Sequence, residues 1–212
     1  TLRIVSQSGQ TYDETVFPWL GEFHRLYPEI ELHFDVEENV IDINEHPFDI
    51  YWGAGDYLGN KHPGLKRRLL WRARYGIFAS PDYLARFGTP EKPDDLVNHR
   101  MVAYLHQQPG NVLVVNTNPD SQQADMEYVA LNAPIRTVSG QVQLAVQGLG
   151  LVNALEDNHD IKSHLASGKL VPVLPGYWYS SAEIYIYYQA VKIEQPKVRA
   201  FVDFFMGKKS QW

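Results

Sequence analysis

The sequence contains no cysteine. That excludes disulfides, thiolate nucleophiles and cysteine-ligated zinc, and it fits a reducing cytosol. No stretch approaches the ~20 consecutive apolar residues that a membrane-spanning helix needs. Charged residues make up 21% of the chain without any long block of one sign, which argues against disorder. Phosphate-cradling glycine patterns of the G-x-G-x-x-G or P-loop type are absent, as is the G-x-S-x-G elbow of a serine hydrolase. His159 and His164 lie five positions apart, which does not place them well on one helix face, and His62 and His106 lack local carboxylate partners. These histidines read as surface residues, and neither a metal nor a cofactor is expected.

Positive charge in excess is missing too. The formal net charge is −6, with lysine and arginine scattered. Affinity for phosphates needs a concentrated basic surface, so this chain is a poor nucleic-acid binder; any regulation of DNA must act through another part. The sequence opens on Thr1 with no basic segment leading into an apolar run, so a signal peptide is not expected. The expectation is either a mature secreted product or a domain of a longer protein.

What is present is ample core material. Of 212 residues, 44% are hydrophobic and 13% aromatic, enough for one large domain or two small lobes. Leu2–Val5 reads as a buried strand and Ser6–Thr11 as a strand-to-helix turn. A helix from Asp13 to Leu26 places Val16, Leu20, Phe23 and Tyr27 on one face, provided Pro18 sits in its first turn. Strands follow at Ile30–Val36 and Phe48–Trp52, separated by a short helix at Val40–Glu45. This β-α-β-α-β order predicts a parallel sheet with right-handed crossovers. Leu69–Ala79 reads as an extended crossover into a second lobe, and Ser80-Pro81 as the cap and first position of a helix ending near Gly88. Strands are expected at Met101–Leu105, Val112–Val115 and Met126–Leu131, the last two flanking a turn-rich hairpin tip. A helix follows Ser139 and stops at Gly148. The strand Leu149–Ala154, the helix Ile161–Ala166, and the strands Leu170–Leu174 and Glu183–Tyr188 come next, and Pro196 opens a last helix striped by Val198, Phe201, Val202 and Phe205.

An ordered set of segments resembles the effector-binding domain of LysR-type transcriptional regulators. It comprises Leu2-Arg3-Ile4, Leu20-Gly21-Glu22-Phe23, Tyr27-Pro28-Glu29-Ile30, Phe48-Asp49-Ile50, Tyr75–Leu84 with Gly88-Thr89-Pro90, Asp95-Leu96 with Asn98-His99, Gly148–Leu151, Leu165–Leu174 and Pro196–Phe204. Most of these are strand cores, caps and stops, so they identify the scaffold better than the ligand. The chain departs from the family pattern at Tyr51-Trp52-Gly53-Ala54-Gly55 and at Val152-Asn153-Ala154-Leu155, both near strand ends.

The resemblance implies an α/β fold of the periplasmic-binding-protein type 2 class. Two Rossmann-like lobes are joined by two crossover segments, residues 1–73 plus 190–212 forming the first and 74–189 the second. It also implies a small-molecule effector, no enzymatic chemistry, no membrane association and a cytoplasmic bacterial regulator. Self-association is implied as a homodimer, with a tetramer possible at full length. In the dimer the helix Asp13–Leu26 of one copy packs on the helix Val142–Gln147 of the other. DNA would be contacted only through a winged helix-turn-helix domain that is not part of this sequence.

In open parallel sheets ligands bind outside the carboxyl ends of strands. The candidates in the first lobe are Gln7, Ser8, Gly9, Gln10 and Thr11 in the first turn, Glu37 after strand two, and Trp52 with Gly53 after strand three. In the second lobe they are Tyr104 and His106 at a strand end, Thr137 and Ser139 opening a helix, and Asn153. Ser8 and Ser139 also suit helix capping. Glu37 reads better as a solvated strand end, because a carboxylate disfavours an anionic effector unless neutralised. Trp52 reads better as core. The rival reading is a periplasmic solute-binding protein for a small polar ligand, which a signal peptide in the upstream coding sequence would reveal. An enzyme on this scaffold would need convergent acid, base or nucleophile groups, and none stands out.

Overall fold

A computed structural model describes residues 1–6, 9–37, 48–54, 58, 62–105, 111–119, 125–179 and 182–208. The helix expected at Val40–Glu45 lies outside them. The chain divides into two compact units, one built from 1–72 and 182–212 and the other from 73–181. Among the described residues no helix is long and apolar enough to cross a membrane.

In the first unit, strands β1 (Leu2–Ser6), β2 (Leu32–Val36), β3 (Ile50–Ala54), β4 (Leu65–Ala73) and β12 (Ala182–Gln189) form one sheet in the order β2-β1-β3-β12-β4. The pairs β1–β2 and β1–β3 are parallel and β3–β12 is antiparallel. The sequence reading assigns residues 74–189 to the second lobe; strand pairing instead puts Ala182–Gln189 in the first. A strand carries apolar alternation but no address for its partner, so local pattern cannot choose the sheet.

The single helix expected over 13–26 is two helices, α1 (Gly9–Thr15) and α2 (Phe17–Leu26). The break falls at Val16, and Pro18 then lies in the first turn of α2, where its missing N–H costs nothing. Phe23 of α2 meets Phe201 and Phe204 of the last helix, α6 (Pro196–Gly207), at ring-centroid distances of 5.5 and 5.2 Å. Lys208 closes this contact: its ammonium donates to both carboxylate oxygens of Glu22 at 2.7 and 2.6 Å and lies 4.7 Å from the Trp19 ring.

In the second unit, β5 (Tyr75–Ala79) pairs antiparallel with β10 (Val152–Leu155) and β11 (Val171–Val173), and β6 (Arg100–Tyr104) pairs parallel with β9 (Asn132–Thr137). A parallel bridge between Met101 and Leu151 joins the two groups. The resulting order, β9-β6-β10-β5-β11, repeats that of the first unit, with the crossover strand antiparallel in each case. Gly150 makes this join possible, since a Cβ there would lie 3.0 Å from the Arg100 carbonyl oxygen. The strands β7 (Val112–Asn116) and β8 (Met126–Ala130) form a separate antiparallel ribbon. The helices are α3 (Pro81–Phe87), α4 (Gln141–Val146) and α5 (His159–Ala166). Ser80 caps α3 by accepting the Tyr83 N–H at 3.2 Å, and Gly148 ends the turn after α4 at φ +78°.

His99 is buried in this unit, with Nδ1 3.2 Å from the Tyr83 hydroxyl. Burial pushes its imidazole below the ordinary histidine value, with nearby Asp95 opposing the shift. Above about pH 6.5 the site is neutral both folded and unfolded; below it the unfolded chain takes the proton first, so stability falls as the pH drops. Urea midpoints measured from neutral pH into the mildly acidic range should show this loss in the native chain, and the slope should flatten in His99→Gln.

Candidate functional site

The carboxyl ends of the strands were the expected location, and each unit brings several candidates together there. In the first unit Ser6 stands opposite Val36 on one side and Trp52 on the other. The Glu37 N–H donates to the Ser6 carbonyl at 3.0 Å, so strand pairing carries Glu37 to the same end. Glu37 is half-buried there. Gly9 and Thr11 follow in α1, and a Cβ on Gly9 would sit 3.7 Å from Val36, in ordinary contact. Gly53 is buried, but among the described residues nothing lies within 4 Å of where its Cβ would be. Gln10 belongs to α1 by its backbone. Gln7, Ser8 and His106 lie outside the described residues.

Trp52 is not available at this edge. Its ring packs into the core against Phe205 and Phe201 at 4.9 and 6.3 Å and is 1% exposed, because this strand position faces α6.

In the second unit Tyr104 stands opposite Thr137, and the Leu105 N–H donates to the Thr137 carbonyl at 3.1 Å. The Thr137 hydroxyl donates to the Ser139 carbonyl at 2.8 Å and accepts the Ser139 N–H at 3.3 Å. This side-chain turn uses the Thr137 hydroxyl internally. Ser139 does not cap α4: Gly140 occupies the cap at φ +78°, with no side-chain cap bond. Ser139 stays exposed in the turn. Asn153 lies within β10 and its amide donates to the Gly76 carbonyl at 3.0 Å, which ties it to β5.

Gln141 is the residue that sequence reasoning missed. It is 7% exposed, and its Nε2 donates to the Thr137 carbonyl at 3.0 Å. That bond fixes the amide orientation and leaves Oε1 buried, with no hydrogen-bond partner among the described residues. A buried unpaired acceptor costs about 1–3 kcal/mol, and such groups call for an explanation such as a ligand. The only sequence signal was a polar residue at the first helical position after a strand and a glycine. Among the described residues no cluster of three or more histidine, aspartate or glutamate side chains is placed to hold a metal ion.

The profile of the LysR substrate binding domain matches residues 1–209. The chain belongs to that family. LysR substrate binding domains are effector-binding parts of transcriptional regulators rather than enzymes, and they have the periplasmic-binding-protein type 2 fold. The HTH-type transcriptional regulator DmlR of Escherichia coli strain K12 is 30% identical over 206 residues, covering 96% of this chain and 63% of its own length. The HTH-type transcriptional regulator CrgA of Neisseria meningitidis serogroup B is 27% identical over 194 residues, covering 89% of this chain and 60% of its own. The LysR chain described here thus spans somewhat under two thirds of these relatives. The CrgA regulatory domain from Neisseria meningitidis superposes with a TM-score of 0.79 at 25% identity, over 98% of this chain and 97% of that one. Full-length AphB of Vibrio cholerae, at 20% identity and a TM-score of 0.79, shares the fold. With curated relatives named as HTH-type regulators, the solute-transport alternative is not favoured.

Proposed function

We propose that this LysR substrate binding domain senses a small polar effector through groups at the carboxyl ends of both sheets. Gln7–Thr11, Glu37 and Gly53 serve in the first unit, and Tyr104, His106, Thr137, Ser139, Gln141 and Asn153 in the second. The effector reports to an N-terminal DNA-binding part in a longer cytoplasmic regulator. The regulator works as a homodimer, with α2 of one copy against α4 of the other, and as a tetramer at full length. DNA is touched only by the N-terminal part. Ligand binding biases the regulator by its differential affinity for two conformations.

The observation that carries the reading is the lone acceptor of Gln141. Because Oε1 is buried and unpaired, the effector it favours presents a hydrogen-bond donor: a hydroxyl, amide or ammonium group. Thermal-shift screening of small metabolites tests this. A hit should raise the melting temperature progressively with ligand concentration, equivalent to about 2.7 kcal/mol at a hundredfold excess over Kd. Gln141→Met should weaken that hit about tenfold, the worth of one hydrogen bond. It should not lower the stability of the ligand-free domain, since the Thr137 carbonyl keeps the Leu105 N–H. A screen without hits, or a Gln141→Met protein that binds as the native one does, contradicts the reading.

A further inference from the structure

The β7–β8 ribbon presents an apolar face outward. Cross-strand register pairs Val112 with Ala130, Val114 with Tyr128 and Asn116 with Met126 on one side, while Leu113 and Val115 are fully buried on the other. On the outward side Tyr128 is 65% exposed and Met126 46%. β8 pairs with β7 alone in a two-stranded sheet, so its far edge has no strand partner among the described residues. The turn Pro93–Asn98 runs beside it, yet only Val129 of β8 is even half-buried.

Free strand edges invite pairing and are ordinarily blunted by charge or proline. The other edges follow that practice. β2 carries His33 and Asp35, β4 carries Lys66, Arg67, Arg68 and Arg72, β9 carries Pro134 and Arg136, and β11 carries Pro172. β8 has neither proline nor a cation, and its one acid, Glu127, stands opposite Val115 on the inward side.

We propose that β8 is a self-association strand, pairing antiparallel with β8 of a second copy about a two-fold axis at Tyr128. The chemistry selects this occupant. Centred there, Tyr128 meets Tyr128 and Met126 meets Ala130, and Glu127 meets Val129 rather than another Glu127. The outward face thus sets apolar against apolar, and no like charges stand directly opposite one another, as suits an isologous contact. The two ribbons become one four-stranded sheet whose outward face carries both tyrosines. A contact built on one five-residue strand is small beside the ~800 Å² per partner of a standard interface, so it is weak alone and joins subunits already brought together or concentrated.

The absence of cysteine makes the test clean. Directly opposed residues of an antiparallel pair have Cα atoms about 4.5–5.5 Å apart, within disulfide range. Under mild oxidation Tyr128→Cys should shift on a non-reducing gel from 24.3 kDa to twice that mass. Val191→Cys, at least as accessible at 77% exposure and on the other unit, should stay monomeric. Met126→Cys and Ala130→Cys should each stay monomeric alone and cross-link when mixed, because only unlike positions face each other. A monomeric Tyr128→Cys, cross-linking of Val191→Cys to the same extent, or Met126→Cys linking as well alone as with Ala130→Cys would each overturn the proposal. A face occupied by some other protein, with β8 not paired to itself, gives the first of these results.

Discussion

Phe205→Ala should destabilise the first unit by about 3–5 kcal/mol, the range for removing a fully buried aromatic ring. Phe205 is completely buried, with Trp52, Phe201 and Phe204 at centroid distances of 4.9, 4.6 and 5.1 Å. Alanine removes the ring that these three pack around, and the neighbours cannot collapse far because Trp52 is held in β3. The ring contact between β3 and α6 would then rest on Trp52 and Phe201, whose centroids lie 6.3 Å apart. Urea unfolding followed by tryptophan fluorescence measures the loss. Phe205→Leu should recover much of it, since a nearly volume-conserving swap costs under about 1.5 kcal/mol. Equal stability of Phe205→Ala and the native chain would mean that α6 does not close this core.

Asp49→Ala should cost about 3 kcal/mol, toward the low end of what removing one partner from a buried ion pair costs. The Asp49 side chain is 9% exposed, with Lys192 Nζ at 3.1 Å and Lys197 Nζ at 3.2 Å. It also accepts the Arg3 N–H at 3.0 Å. Lys192 further donates to the Phe48 carbonyl and Lys197 to the Thr1 carbonyl, so one carboxylate ties together the starts of β1, β3 and α6. Lys197 is one-third exposed and can turn to water once its partner is gone, which limits the cost. Burial alone would push the Asp49 carboxyl up, but the Arg3 amide and the two lysines outweigh it and hold it below the ordinary carboxylate range. A depressed carboxylate contributes stability that is complete above its unfolded value of about 3.9 and lost as the pH falls further. The acid limb of the stability curve below about pH 4 should therefore be shallower in Asp49→Asn than in the native chain.

Much of this fold is legible from residue pattern. Leu2–Val5, Ser80-Pro81, Gly148 and the stripe Val198, Phe201, Val202 and Phe205 each combine a local propensity with a period, and each marks the element found. β9 was not legible. Asn132 and Pro134 argue against a strand, and the element survives because it is an edge strand whose exposed positions tolerate proline. The cap of α5 is Asn158, whose side chain accepts the Asp160 N–H at 2.7 Å, three residues ahead of the expected start at Ile161. The candidate positions were legible as turns and strand ends but not as chemistry. Sequence reads Thr137 and Ser139 as opening a helix; it cannot say that the Thr137 hydroxyl is consumed in a turn with Ser139 while Gln141 is buried with one acceptor to spare. Trp52 reads as core from its residue type, but that its ring meets Phe205 is set by the strand register. These outcomes depend on which side of a strand or turn faces which neighbour, and that is decided by partners distant in sequence.

Hydrogen exchange with and without a ligand found by thermal shift tests the central claim most directly. The account predicts slowed exchange on binding at the amides of Gly9–Thr11, Gly53, Leu105 and Ser139–Gln141, with that protection lost or much reduced in Gln141→Met. Protection confined to other elements, or a stabilising ligand that leaves these amides unchanged, would contradict it.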